Sequence, residues 1–477
     1  MLNSKALQLM RALSRTELER LRRFAKSSYC NTNQNALELL EKLIPHYPHF
    51  SGTVLKKRAF FQSIFPGKPY NDAYFRKQLS GLYQMIRSFL SFEEWNNDKD
   101  LQQVYLLRQL RQRKLENVFQ IQFDQAVEDL NQNNTRSSDY FNQAFHLAEE
   151  AAALKSEKDE NGILTTQLQH LDILFLIKRL SVICDSFSQD NNTEGNALSR
   201  YLEALLGKED NPYTKIPAVS IYWLLCKAWS EPDEPAYYYD FIDKLEQHLA
   251  IFPLKELQWF YKHAEAYCWL QLRAGFREFV DQLFLVQKVK LEKDLLIVDQ
   301  QLPPQQFQDL VTLGLQLNKH SWVRQFIADY HGLLPENDRM DLLIYQSARI
   351  DQAEGKLEQA ADLLTKHHFN LSELATKAAL LHFQLLYQTQ QFLQLEEELD
   401  NWRLRWMRSP ELATLERQSL LNCISVLKQI IRLHKQLDKK TISDLDAKIA
   451  LLHARIENLH PISHERWLKD ILQNFLR

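Results

Sequence analysis

The sequence predicts an all-α protein, and three observations carry the prediction. Glycine and proline are scarce, with 10 and 14 among 477 residues, and no proline stands between Pro69 and Pro212. Both residues punctuate turns, so their scarcity points to long uninterrupted elements. Leu, Gln, Glu, Ala, Lys and Arg fill the chain, and these residue types lose least rotamer freedom in a helix. Apolar positions recur at helical spacing, as in Phe75, Leu79, Leu82, Ile86 and Phe89. A chain this long exceeds one ordinary core, so several domains or a repeat array are expected. Its 45% hydrophobic and 25% charged content is that of a folded chain and excludes a disordered one.

Residues 1–95 read as a small helical domain. Ser14 and Glu17 have the spacing of a capping box, which starts a helix ending near Ser27 and Ser28. A polar stretch at 31–35 leads into a helix over 36–43, closed by Pro45 and Pro48. The next helix, over 55–65, stops at Pro66-Gly67-Lys68-Pro69, a strong turn signal. Asn71 suits the N-cap of a long helix through Phe92. Its inward stripe is the set at 75–89, with Lys77, Ser80, Gln84 and Arg87 on the opposite face.

From 98 to 131 the pattern is that of one further long helix. Residues 96–300 as a whole read as helical hairpins, with polar loops at 131–138, 155–162, 186–196 and 207–218. Aromatic stretches at 221–225 and at Trp259-Phe260-Tyr261 supply large surfaces to bury between helices. Pro303-Pro304 opens residues 301–409, where the chain repeats itself. Gly314, Val323, Phe326 and Tyr330 recur as Ala348, Leu357, Ala360 and Leu364, each pair 34 residues apart. A further step of 35 gives Phe383, Phe392, Leu395 and Leu399. Residues 410–477 read as capping helices. Ser463 begins a last amphipathic helix with Trp467, Leu468, Ile471, Leu472, Phe475 and Leu476 on one stripe. It is expected to cover a helix over 441–458 and so hide the apolar end of the array.

A step of 34 residues is the period of tetratricopeptide repeats, set by two antiparallel helices and their turns. The unit from Tyr345-Gln346-Ser347-Ala348 to Glu354-Gly355-Lys356-Leu357-Glu358-Gln359-Ala360 resembles that family's pattern most. Ala348 and Ala360 are small where the two helices of a hairpin approach, and Gly355 sits at the turn. The other two units depart from the pattern, with Phe326, Phe383 and Leu395 where small residues are usual. The whole chain also resembles a family of uncharacterised bacterial helical proteins, with features such as His170-Leu171-Asp172 and Phe260-Tyr261 to Tyr267-Cys268. These resemblances imply a tetratricopeptide-like α-solenoid of antiparallel helical hairpins behind a small basic helical domain. They also imply a surface for a protein or peptide partner.

Motifs of catalysis are not found. Phosphate-cradling loops need clustered glycines, and here every glycine is isolated. No HExxH and no GxSxG occurs. The nearest approaches to ligand spacing are His146 with Glu149 and Glu150, His263 with Glu265, and His460 with His464, and all read as surface or core-edge histidines. Glu396-Glu397-Glu398 reads as a solvated helix face. Cys30, Cys184, Cys226, Cys268 and Cys423 are too scattered for a zinc or redox motif and read as buried free thiols. No catalytic, cofactor or metal residue is therefore assigned, and the chain is expected not to be an enzyme. A site assembled from several helices of a bundle core is the exception that patterns would miss. No signal-like or membrane-spanning run occurs, so the chain is expected in the cytoplasm.

Charge is divided unevenly. The net charge is −3, but residues 1–92 hold 15 Lys and Arg against 5 Asp and Glu, leaving +10 there and −13 in the rest. Lys56, Lys57 and Arg58, the turn at 66–69 and the helix bearing Lys77 and Arg87 weakly resemble a helix-turn-helix or winged-helix module. Docking of this basic segment on the acidic remainder, contact with nucleic acid, and contact with an anionic membrane surface all follow from such a charge split. The expected function is a non-enzymatic scaffold binding a protein or peptide on the solenoid surface. A nucleic-acid-binding regulator using Lys56, Lys57, Arg58, Lys77 and Arg87 is the alternative.

Overall fold

The computed structural model describes residues 4–50, 56–154, 160–188, 203–208, 210–370, 372–438 and 445–475. Leu55, most of the loops expected at 155–162 and 186–196, the start of the helix expected over 441–458, and Leu476 lie outside them. The described residues are helical with no strand; a single isolated β-bridge joins Val298 and Gln301. No described helix is long and apolar enough to cross a membrane.

The chain forms two compact units. The first comprises 1–185, 194–226 and 244–253; the second comprises 186–193, 227–243 and 254–477.

In the first unit, residues up to Phe89 make a core of their own. Its helices are α1 (Lys5–Ala12), α2 (Arg15–Lys26), α3 (Gln34–Leu43), α4 (Lys57–Ile64) and α5 (Asp72–Asn97). The capping box forms: the Glu17 N–H donates to Ser14 Oγ at 3.2 Å and the Ser14 N–H to Glu17 Oε2 at 2.7 Å. Asn33 and Asn71 cap α3 and α5 through their side-chain oxygens. α5 buries Phe75, Leu79, Leu82, Ile86 and Phe89, and receives α1, α2 and α3. It runs five residues beyond Phe92 before Asp98 caps the next helix. α1 has no counterpart among the expected elements.

The single helix expected over 98–131 is instead two, α6 (Lys99–Gln112) and α7 (Glu116–Gln132). Lys114 adopts φ 59°. Its N–H reaches Arg111 O at 2.9 Å, and that of Leu115 reaches Leu110 O at 3.1 Å. This pair of bonds satisfies carbonyls at a helix end and reverses the chain. Val104 and Leu107 then pack with Phe119, Ala126 and Leu130, joined by α8 (Ser138–Leu154) through Ala144 and Leu147. α9 (Glu160–Ser188) follows; α10 (Pro217–Ser230) and α11 (Ala236–Gln247) are shared between the two units.

The second unit continues as α12 (Leu254–Ala274), α13 (Phe279–Glu292), α14 (Pro304–Gln316), α15 (His320–Tyr330), α16 (Glu336–Ala353), α17 (Leu357–Lys366), α18 (Ser372–Gln388), α19 (Phe392–Arg408), α20 (Thr414–Asp438), α21 (Leu445–Asn458) and α22 (Glu465–Asn474). From α12 to α20 each helix packs on the next, and α14 and α18 both pack on α16. The closing turn seen at Lys114 recurs here at Gly275, Asp294, Asn318, Gly355 and Gln390, all with positive φ. Scarce glycine therefore does not mean few turns, because four of these six left-handed positions are held by Lys, Asp, Asn or Gln.

Asn318 and Gly355 are 37 residues apart and Gly355 and Gln390 are 35 apart. The first step differs from the 34 read from apolar residues: measured from the turn, Val323 matches Ala360 and not Leu357. A slip of three residues turns a helix position by only about 60°, so both registers keep apolar residues inside. Gly314 permits the first hairpin to close, since a Cβ there would stand 2.5 Å from Val323 Cγ2.

At the C-terminal end, Leu468, Ile471 and Leu472 of α22 are buried, and α22 packs on α20 and α21.

Two substitutions test the hairpins by thermal unfolding. Gly314→Ala is expected to lower stability by about 1–3 kcal/mol through overpacking against Val323. Gln390→Gly should raise it by about 1 kcal/mol by relieving the left-handed backbone.

Candidate interaction surface

The alternate helices α14, α16 and α18 are drawn together by next-but-one packing. α16 carries three polar groupings on its length. Near its start, Asp341, 1% exposed, pairs with His367 Nε2 at 2.7 Å and accepts the Asn370 N–H at 2.8 Å. Near its end, Arg324 of α15 grips Asp351 and Glu354, each at 2.6 Å, with Lys356 also on Glu354 at 2.7 Å. Hydrogen bonds from Arg324 and Lys356 hold the Glu354 carboxyl down at about 2.

The middle grouping is different. Arg349 Nη1 donates to Thr312 Oγ1 of α14 and to Gln346 Oε1, both at 3.0 Å. The guanidinium carbon lies 5.9 Å from the centre of the Tyr345 ring. Both hydrogen-bond acceptors are neutral, and burial pulls the Arg349 pKa down. Gln346 is fully buried, and its Nε2 has no hydrogen-bond partner in the protein. Burial raises the Tyr345 phenol, while Arg349 and Lys377 of α18 pull it the other way, placing a second cation close by. Lys377 itself pairs with Glu373 at 2.6 Å on an exposed turn.

On the other side of α18 a cleft of about 320 Å³ opens between α17 and α19. Ala375, Ala378 and Ala379 floor it, and Trp402, with Arg405 at 4.6 Å over its ring, forms a wall. Lys377 is two residues, about 200°, from Ala375 and from Ala379, so cleft and Arg349 face lie on opposite sides. His382 is buried in the cleft. Thr365 gives its proton to Ala361 O, so His382 Nε2 donates to Thr365 Oγ1 at 3.2 Å. Burial lowers the His382 pKa to about 4.

The cations singled out in the basic segment stand on two helices. Lys56 and Lys57 stand at the start of α4, where Lys57 pairs with Asp72 at 3.2 Å, and Arg58 lies over Tyr70. Lys77 and Arg87 are exposed on α5, about 15 Å apart along its axis. Arg87 Nη1 donates to Gln84 Oε1 at 3.2 Å. α5 is the central helix of its core, and the chain stays helical past Phe92 where a wing would begin.

The histidine and carboxylate neighbours separate. His146 meets Glu149 at 3.3 Å, while Glu150, 1% exposed, is clamped by Arg108 at 2.6 Å and Arg111 at 2.9 Å. His263 packs between Trp229 and Trp259, and Glu265 pairs with Lys290. His460 follows α21 and His464 precedes α22 in a left-handed conformation. Among the described residues no group of three His, Cys, Asp or Glu could hold a metal ion. Cys184, Cys226, Cys268 and Cys423 are buried thiols, but Cys30 is half-exposed, set in the turn after α2 instead of in a core.

Two outcomes are expected from these contacts. Unfolded, His382 titrates near 6.5; folded, it stays neutral down to about 4. Between those values only the unfolded chain takes up the proton, so stability falls as pH drops through this window. His382→Gln should remove about 2 kcal/mol of the loss between pH 7 and 5, measured by urea unfolding. By contrast Lys77→Glu and Arg87→Glu should each change stability by no more than about 0.5 kcal/mol, since neither holds an acid.

Comparisons with protein-family models, with curated proteins and with solved structures give no match to the chain.

Proposed function

We propose that this protein is a non-enzymatic scaffold, a tetratricopeptide-like solenoid in its second unit, that receives a protein segment on the face made by α14, α16 and α18. The observation that carries this reading is the repeated hairpin with its left-handed closing turn, at which the next helix but one packs alongside. Such stacking lines up equivalent positions of successive helices into one extended surface, the kind repeat proteins use for segments. On that surface sits Arg349, a cation with only neutral partners. A cytoplasmic setting agrees with five cysteines that remain thiols. Nucleic-acid contact through Lys56, Lys57, Arg58, Lys77 and Arg87 is the weaker reading, because Lys57 is held by Asp72 and α5 is occupied by three packing helices.

The test is to pan a random short-peptide library on the immobilised full chain and map photo-crosslinks from the selected peptides. Peptides with Kd below about 100 µM that crosslink to α14, α16 and α18 are the expected result. Crosslinks confined to other helices, or a chain that retains only nuclease-sensitive material from a lysate and no peptide, would overturn the assignment.

A further inference from the structure

We propose that Arg349 anchors a carboxylate on the segment that binds this face, so that the scaffold selects acid-bearing segments. This rests on the segment-binding reading above. Arg349 is partly buried, and a cation drawn partly out of water still gains from an anion beside it, because desolvation without a counter-charge is unfavourable. Charged groups towards both ends of the same helix do meet opposite charge: Asp351 and Glu354 meet Arg324 of α15, and Asp341 meets His367. Arg349 has hydrogen bonds to Thr312 and Gln346 alone, both on side chains that carry no charge.

The geometry of those bonds leaves one edge for a ligand. Nη1 carries two protons, and its two bonds, each 3.0 Å, engage both. The edge formed by Nε and Nη2 stays open, and it is the edge whose parallel N–H groups fit a carboxylate in bidentate fashion. The two side-chain oxygens that Arg349 reaches are already engaged. Thr312 gives its hydroxyl proton to Gln308 O at 2.8 Å, so its oxygen is already an acceptor for Arg349. The Gln346 oxygen is likewise engaged, and its buried amide nitrogen has no hydrogen-bond partner in the protein. The Tyr345 ring flanks the guanidinium, and Lys377 of α18, paired with Glu373, lies near that ring. The Nε–Nη2 edge of Arg349 carries donors only, so it recognises an acceptor-only group. On a protein segment that group is the carboxylate of Asp, of Glu or of a chain terminus.

The experiment uses the full chain and synthetic peptides taken from the library selection, with affinities read by fluorescence anisotropy. Selected sequences should be enriched in Asp and Glu. Arg349→Met should weaken their binding about 30-fold or more, and Arg349→Lys should recover only part of it, because an ammonium lacks the two-pronged edge. Replacing the peptide's Glu by Gln should weaken binding to the wild-type chain equally and add nothing in Arg349→Met, a result that does not depend on how well the variant folds. Peptides with free and with amidated C-termini tell a side-chain carboxylate from a terminal one, and either supports the assignment. Acid-free peptides that crosslink to α14–α18 and ignore Arg349→Met would overturn it while leaving segment binding intact. A selection that yields no peptide would overturn both.

Discussion

Every helix ends with carbonyls that its own ladder cannot satisfy, and a chain of short helices meets that requirement again and again. Among the described residues the same solution is used six times: one residue enters the left-handed region and two N–H groups turn back on the last turn of the helix. The remaining architecture of the second unit follows from it. The turn sets the reversal, the reversal brings successive helices into contact, and the near-constant interval between turns brings α14, α16 and α18 side by side. Thr312 and Arg349 differ by 37 positions, the same step that separates Asn318 from Gly355. The hydrogen bond between them is therefore a contact between equivalent places on consecutive hairpins.

Much of this was legible in the sequence where the signal is local. Ser14 with Glu17, Asn71, and the turn at 66–69 each act through neighbours three or four residues away, and the helices begin and stop there. The break at Lys114 was not legible, because the left-handed position is held by an ordinary helix former and the flanking apolar pattern runs on. The interval of 37 was read as 34 for a related reason. Apolar periodicity reports which face is buried, and a shift of three residues hardly changes that face, whereas the turn itself fixes the register.

The interaction surface was less visible than the fold. Charge counting drew attention to residues 1–92, where cations are many; in the structure Lys57 is matched by Asp72, Arg20 by Glu93 and Arg22 by Glu41. Arg349 is one arginine among many in the sequence. Its partners are a threonine on another helix and a glutamine one turn back, and neither relation has a signature in spacing alone. The buried carboxylate Glu150 shows the same limit, since Arg108 and Arg111 reach it from roughly forty residues away.

The closing turns are the element on which the stacking, the shared face and the placing of Arg349 all depend, and native-state amide hydrogen exchange reads them directly. The N–H groups of Asn318, Lys319, Gly355, Lys356, Gln390 and Gln391 are each bonded back to the preceding helix at 2.8–3.1 Å. Hairpins closed in this way should protect those six amides as strongly as the interior amides of α14, α16 and α18. Exchange at the rate of open loops, beside protected helices, would show that the helices are joined by loose connections and that no fixed interval aligns them.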